Sequence, residues 1–275
     1  MPDSITLLRK RNVSGAYWKG SQLDILLGLN YLRNKNRKKL VLFGEPEINN
    51  NYSFNQIVQN THLYFNFNNG ILTAPIGFRE KLIKSLNDNS VRFGVLPVFL
   101  VGKQFESAHS NILFFDFRKR KCERFEPYGF STDETKLDTR LRKIFSLFGM
   151  KYKKPMKNAN FQEMEEDEIS MKVESAKIIS DDPGGYCAAW CIWYVEQRLK
   201  YPKKSREDLV EEIKKKIENL DSSIRTLIRN YANNLTRIRK RTLRKKGLGS
   251  KRTHFSKVEQ IKKLYQSSNN NYNKK

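Results

Sequence analysis

The spacing of apolar residues changes along this chain, and each change marks a different kind of element. Near the start, SQLDILLGLNYL (21–32) carries its apolar residues at helical intervals and predicts a helix, while LVLFG (40–44) reads as a short strand. The asparagine-rich EINNNYSFNQ predicts a loop, and ILTAPIGFREKLIKSL predicts a turn followed by a helix. Between residues 95 and 128 the pattern shortens. VLPVFLV, NILFFDF and KCERFE are brief, rich in β-branched and aromatic residues and separated by basic turns, so they predict strands. STDETKLDTRLRKIFSLFG then begins with Ser131 or Thr132 as a helix N-cap and continues as an amphipathic helix. The acidic run QEMEEDE (162–168) predicts an exposed loop, and VESAKIIS another strand.

After Pro202 helical spacing takes over. Leu209, Ile213, Ile217 and Leu220 recur about a turn apart, and Ser205 with Asp208 makes a start like a capping box, with Asp in place of the usual Glu. The final SSNNNYNKK predicts disorder, and no internal repeat is present. The order of elements predicts an α+β fold, with a central, mainly antiparallel sheet, a helix from residue 186 packed on it and further helices at the C-terminus. Four regions follow: 1–90 as an N-terminal extension of the same domain, 91–202 as the core, 203–264 as a basic helical region and 265–275 as a disordered tail.

Composition narrows the setting. The 275 residues suffice for a sizeable core. Three cysteines are too few for a disulfide scaffold, and with no signal peptide at the start they point to a reducing compartment. No apolar run is long enough to cross a bilayer, so a soluble protein is expected. The formal charge of +24 is unevenly placed: residues 198–275 hold 24 Lys and Arg against 7 Asp and Glu. A field of that sign favours polyanions, either nucleic acid or an acidic membrane face, although a solvated basic surface has the same composition. RIRKRTLRKK places Arg237, Arg239, Lys240, Arg241, Arg244, Lys245 and Lys246 together as candidate phosphate contacts for DNA or RNA.

The stretch ISDDPGGYCAAWCIWY (179–194) holds two of the three thiols. Pro183-Gly184-Gly185 breaks the chain, and the sequence from Tyr186 is compatible with a helix up to Pro202. Cys187 then falls in the first turn, where unpaired backbone N–H groups and the dipole favour a thiolate. Cys191 lies one turn deeper, where a small core residue is expected. A buried apolar helix, a metal site and a nucleophile all remain open at this point. Zinc would take Cys122, Cys187, Cys191 and His109, but structural zinc uses two close ligand pairs and Cys122 has no neighbouring Cys or His. A nucleophile needs a base and an orienting group. His109 opens one predicted strand and Glu126 ends the next. A turn centred on Phe117–Arg118 sets them opposite each other, whereas one centred on Lys119–Arg120 leaves them four residues out of register.

The order of a histidine opening a strand, an acid ending the next and a cysteine opening a later helix resembles adenain, the adenovirus maturation protease family, and more distantly the SUMO-specific proteases. AHSNILFFDFRKRKCERFEPYGFSTDETKL is similar to adenain's His-to-acid hairpin, including Phe125-Glu126-Pro127-Tyr128-Gly129, and GGYCAAWC resembles its nucleophile helix. The likeness covers roughly residues 95–200. It implies a cysteine endopeptidase with His109 as general base, Glu126 as its orienter and Cys187 as nucleophile, and it implies no cofactor and no metal. Two positions depart from the family. Ser110 stands where a Trp usually follows the histidine, and Ser180, Asp181 and Asp182 stand where a Gln binds the oxyanion. A lost oxyanion donor costs about 10²–10³ in rate. Asp181 is the positional candidate for that place, and a turn or N-cap aspartate is its other reading. With the Lys- and Asn-rich composition, the likeness implies a monomeric enzyme of a large DNA virus, in virion and host cytoplasm, cutting capsid or core precursors. A protease acting on ubiquitin-like conjugates is a second enzyme reading, and a catalytically inactive nucleic-acid-binding virion protein is a third.

Overall fold

A computed structural model describes residues 22–36, 39–44, 54–102, 109–129, 135–165, 167, 186–220 and 222–245. The elements run α1 (Gln22–Lys35), β1 (Leu40–Leu42), α2 (Phe54–Thr61), β2 (Leu63–Asn66), β3 (Leu72–Thr73) and α3 (Phe78–Asn87). They continue with β4 (Phe93–Val101), β5 (His109–Asp116), β6 (Lys121–Phe125), α4 (Thr135–Ser146), β7 (Lys151–Lys153), α5 (Cys187–Lys200), α6 (Arg206–Asn219) and α7 (Ile224–Lys245). The fold is α+β.

The strands form one seven-stranded sheet in the order β3-β2-β4-β5-β6-β7, with β1 also beside β4. Its centre, β4-β5-β6, is antiparallel, and β1, β2 and β7 join in parallel. β1 pairs along Phe93 to Val95 and β2 along Val98 to Val101, so two short strands share one side of β4. Pro97, which has no N–H to give a ladder, falls in the gap between them.

Helices cover both faces, which is why β5 is buried at every position and reads as an almost continuous apolar run. On one face Phe93, Val95, Ile112, Phe114 and Phe125 pack with α1, α5, α6 and α7. On the other, Leu96, Val98, Leu113, Phe115 and Cys122 pack with α3 and α4. α5 is buried at every position from Ala188 to Val195, as expected of a helix apolar all round. α1 approaches it closely: a Cβ on Gly28 would lie 2.5 Å from Ile192 Cδ1. A larger residue there would have to push the helices apart.

Several expectations are revised. The loop expected through residue 56 gives way to α2 at Phe54, and β2 and β3 arise in stretches where no strand was expected. The acidic run is helical rather than a loop over residues 161–165; Glu163 and Asp167 are exposed as expected, but Gln162 and Glu165 are buried, their side chains bonding Tyr128 and Trp190. The helical texture after Pro202 is two helices. Ser205 caps the first by accepting from the Asp208 N–H at 2.9 Å, and Ser223 Oγ accepts from the Thr226 N–H to start the second. Ser131, Thr132, the strand expected in VESAKIIS and the C-terminal tail lie outside the described residues.

Candidate active site

The β5–β6 register decides where the histidine and the acid meet. Asp116 pairs with Lys121 and Ile112 with Phe125, which centres the turn on Arg118–Lys119, between the two alternatives read from sequence. Continued outward, that register sets Asn111 opposite Glu126 and Tyr128 opposite His109. Glu126 is therefore a diagonal neighbour of His109 on the same face, within reach of a long side chain. A tight turn closes the distance. The Gly129 N–H donates to the Glu126 carbonyl at 2.9 Å, with Pro127 at the second position. Gly129 has φ 83°, and a Cβ there would lie 2.9 Å from the Lys157 carbonyl oxygen, so only glycine fits.

The turn delivers the carboxylate to the ring. Glu126 Oε1 lies 2.6 Å from His109 Nε2 and accepts the Tyr128 N–H at 3.0 Å, while Oε2 accepts from Asn111 Nδ2 at 2.5 Å. Both side chains are nearly inaccessible, His109 at 5% and Glu126 at 2%. Behind them Arg124 donates from Nη1 to Asn111 Oδ1 at 2.5 Å and grips Asp138 of α4 with Nε and Nη2 at 3.1 and 3.0 Å. The Tyr152 hydroxyl of β7 donates to the same aspartate at 2.5 Å.

Cys187 is the first residue of α5, and its thiol is within hydrogen-bonding reach of His109 and Ser110. Strand alternation puts His109 on the α4 side of the sheet and Ser110 on the α5 side. Because His109 is the first residue of β5, the helix start reaches it at the sheet's end. Nε2 faces Glu126, which leaves Nδ1 for the sulfur. Cys187 is partly exposed, whereas Cys191 and Cys122 are fully buried. Cys191 Sγ donates to the Ser110 carbonyl at 3.4 Å and fills a core position.

The electrostatics follow the geometry. Burial opposes charge on all three groups. The Glu126 charge and the bonds to Cys187 and Glu126 outweigh it and hold the His109 pKa well above 6.5. Against burial, the hydrogen bond and charge of His109 bring the Cys187 pKa below 9.0, and His109, Arg124 and the Tyr128 N–H bring Glu126 below 4.5. Burial pushes Cys122 and Cys191 well above 9.0. Iodoacetamide near neutral pH should therefore alkylate Cys187 and spare the other two, as read by peptide mass spectrometry. Equal, slow labelling of all three would make Cys187 a structural thiol.

The signs also set a pH window. The thiolate is lost as pH falls through the lowered Cys187 pKa, and the imidazolium is lost as pH rises through the raised His109 pKa. Turnover should be bell-shaped, with its acid limb below 9.0 and its alkaline limb above 6.5. A single limb centred on an ordinary thiol value would remove the ion pair from the mechanism.

The structure places the remaining candidates as follows. Asp181 and Lys246 lie outside the described residues. Ser110 is buried on the α5 side of the sheet, within reach of the Cys187 thiol. The exposed ring beside the imidazole is Tyr128, 39% exposed and 5.3 Å from His109 between centroids, its hydroxyl held by Gln162 Nε2 at 3.0 Å. Arg237, Lys240, Arg241, Arg244 and Lys245 are exposed on α7, but Arg239 is paired with Asp24 at 3.0 Å. Arg225 and Arg229 are buried and add nothing to a basic surface. The zinc set does not form. Cys122 packs on the α3–α4 side with Leu113 and Phe115, and among the described residues no group of three or more His, Cys, Asp or Glu is placed to hold a metal.

Asn111, Arg124 and Asp138 were not singled out from sequence. Asn111 and Arg124 carry a signal: they are two residues from His109 and Glu126 along their strands, and therefore on the same face. Asp138 carries none.

A partly exposed thiol at a helix start, an imidazole and a buried carboxylate stand in bonded order, the arrangement that a nucleophile, a base and an orienting group require. The chain matches no protein-family profile. It is 27% identical over 270 residues to a protein of Acanthamoeba polyphaga mimivirus named as an ankyrin repeat protein, covering 86% of this chain and 34% of that protein. The chain thus spans about a third of the length of the curated relative it matches. Among solved structures it is similar to ChlaDub1 from Chlamydia trachomatis, with TM-score 0.39 and 14% identity over 82% of this chain and 95% of that one. It is also similar to the Chlamydia trachomatis effector protein Cdu1 bound to ubiquitin, with TM-score 0.39 and 13% identity over 80% of this chain and 94% of that one. The site's own geometry, and not these overlaps, carries the functional reading.

Proposed function

We propose that the chain is a cysteine peptidase acting on conjugates or precursors of ubiquitin-like proteins. One observation carries the reading: Cys187, His109 and Glu126 stand in hydrogen-bonded order, with the thiol partly open to solvent and the other two buried. His109 takes the thiol proton through Nδ1, and the sulfur attacks the substrate carbonyl carbon. The oxyanion formed meets the Cys187 backbone N–H at the start of α5, the end of the helix whose dipole favours negative charge. His109 then protonates the leaving amine, the C–N bond breaks and a thioester remains. A water that gives its proton to His109 hydrolyses it and releases Cys187. Glu126 stays ionised and stabilises the imidazolium.

Ubiquitin, found in the Cdu1 structure, is the substrate to test first. Ubiquitin and ubiquitin-like proteins carrying a fluorogenic C-terminal amide should release the fluorophore. Glu126→Gln should lower kcat/KM by roughly 10²–10⁴-fold, because the imidazolium loses its counter-charge. Cleavage of a viral structural precursor but of no ubiquitin-like substrate would move the substrate to the capsid class. Labelling of Cys187 by a substrate-like probe without any cleavage would mark an inactive relative.

The exposed basic end of α7 supports a second role in holding nucleic acid. Charge reversal at Arg237, Lys240 and Arg244 should weaken binding to DNA of any sequence and flatten its salt dependence, since fewer condensed counterions are released. Binding that ignores salt would leave this face as solvated surface.

A further inference from the structure

Behind Glu126 lies a row of polar side chains that the chemistry above does not use. Arg124, 1% exposed, and Asp138, 3% exposed, form a two-pronged ion pair between β6 and α4. Buried pairs of this kind contribute little net stability, since desolvation offsets most of their attraction. Their position suggests another use.

We infer that Arg124 and Asp138 are positioning residues that set the proton polarity of the catalytic row through Asn111. A guanidinium has donors and no acceptor. Asp138 holds Nε and Nη2, which aims Nη1 at Asn111, and the Tyr152 hydroxyl fixes the aspartate from β7. The oxygen of the Asn111 amide must therefore face Arg124, and its NH₂ must face Glu126 Oε2. Glu126 also accepts the Tyr128 N–H. With donors on both oxygens it stays an ionised acceptor, so the hydrogen on the neutral ring belongs on Nε2. Nδ1 is then proton-free and faces Cys187. Each link has one permitted direction, and the obligate donor at the far end sets them all.

Without Arg124 the Asn111 amide is free to turn its oxygen toward Glu126. Two acceptors in contact favour a protonated carboxyl, and the ring loses the charge that orients it. The charged and titratable groups around Glu126 are His109 on β5, Arg124 on β6, Cys187 beyond the ring and Cys191 one turn deeper on α5, and Asp138 on α4 and Tyr152 on β7 beyond the guanidinium.

The effect on turnover rests on the peptidase reading, but the test reads the dyad without a substrate. Asn111→Asp keeps the size of the side chain and an acceptor for Arg124, while setting a second carboxyl against Glu126. Imidazole ¹⁵N chemical shifts of His109, read above its raised pKa where the ring is neutral, should report the Nε2–H form in the wild type and its loss in this variant. The acid limb of Cys187 alkylation should move to higher pH by about one unit or more. Arg124→Met combined with Asp138→Leu should shift both readouts the same way in a folded protein. A folded variant with unchanged tautomer and alkylation profile overturns the assignment, as does unfolding of both variants, which would make the row structural. A wild type with the expected tautomer but no hydrolysis would sink the peptidase reading and leave the positioning role standing.

Discussion

Cys187→Ala should give a folded protein whose hydrolysis of a ubiquitin-like amide is lower by about 10⁴-fold or more, since loss of a nucleophile removes the whole covalent route. Cys191→Ala should do the reverse. That thiol is fully buried among Trp190, Ile192 and the β5 backbone, so its truncation costs stability, on the order of 1 kcal/mol, and leaves turnover nearly intact. Thermal denaturation and kcat/KM, measured on both variants, separate the roles of two thiols one helical turn apart. The contrast matters because their types are identical and only their surroundings differ. Cys187 has an imidazole beside it and solvent access, and Cys191 has apolar neighbours and a carbonyl. Equal loss of activity in the two variants would point to a damaged fold rather than a missing nucleophile.

His109, Glu126 and Cys187 were legible because each sits at an element boundary that local chemistry marks: a strand start, an acid within Phe-Glu-Pro-Tyr-Gly, and a residue behind a Pro-Gly-Gly break. What joins them was less so. Register depends on a four-residue turn, Phe117 to Arg120, whose last residue has φ 49°, and basic residues carry no strong turn signal. Both alternatives weighed from sequence missed the turn's centre, and the diagonal pairing survives only because glutamate is long and the Glu126–Gly129 turn bends it back. The buried polar residues of the 162–168 run were misread for another reason. Glu165 and Gln162 fall in a run of acidic character, and composition says "exposed" unless the partner, Trp190 or Tyr128, is known. Long-range partners leave no trace in a local pattern. The same holds for Arg239, whose place in a basic run hides its pairing with Asp24 of α1.

Truncation after residue 221 should unfold the protein, even though the lost segment looks from its charge like an appendage. α7 turns Ile224, Leu227, Ile228, Tyr231, Ala232 and Leu235 into the same apolar cluster as α5 and α1. The four large aliphatic side chains among these, Ile224, Leu227, Ile228 and Leu235, contribute on the order of 6–12 kcal/mol of burial. That is comparable with the roughly 5–15 kcal/mol that holds a whole domain together. Tyr231 adds a buried hydroxyl bonded to Glu196 of α5 at 3.0 Å, and its loss would leave that carboxylate without the bond. The truncated chain should show no cooperative thermal transition, and Cys187 should lose its kinetic advantage over Cys191 in alkylation. Helix α7 thus has two unlike faces, one packed with the Cys187 helix and one carrying cations into solvent. A truncated chain that melts cooperatively and still alkylates Cys187 first would show α7 to be dispensable. It would make the simple deletion, rather than charge reversal, the right probe of nucleic-acid binding.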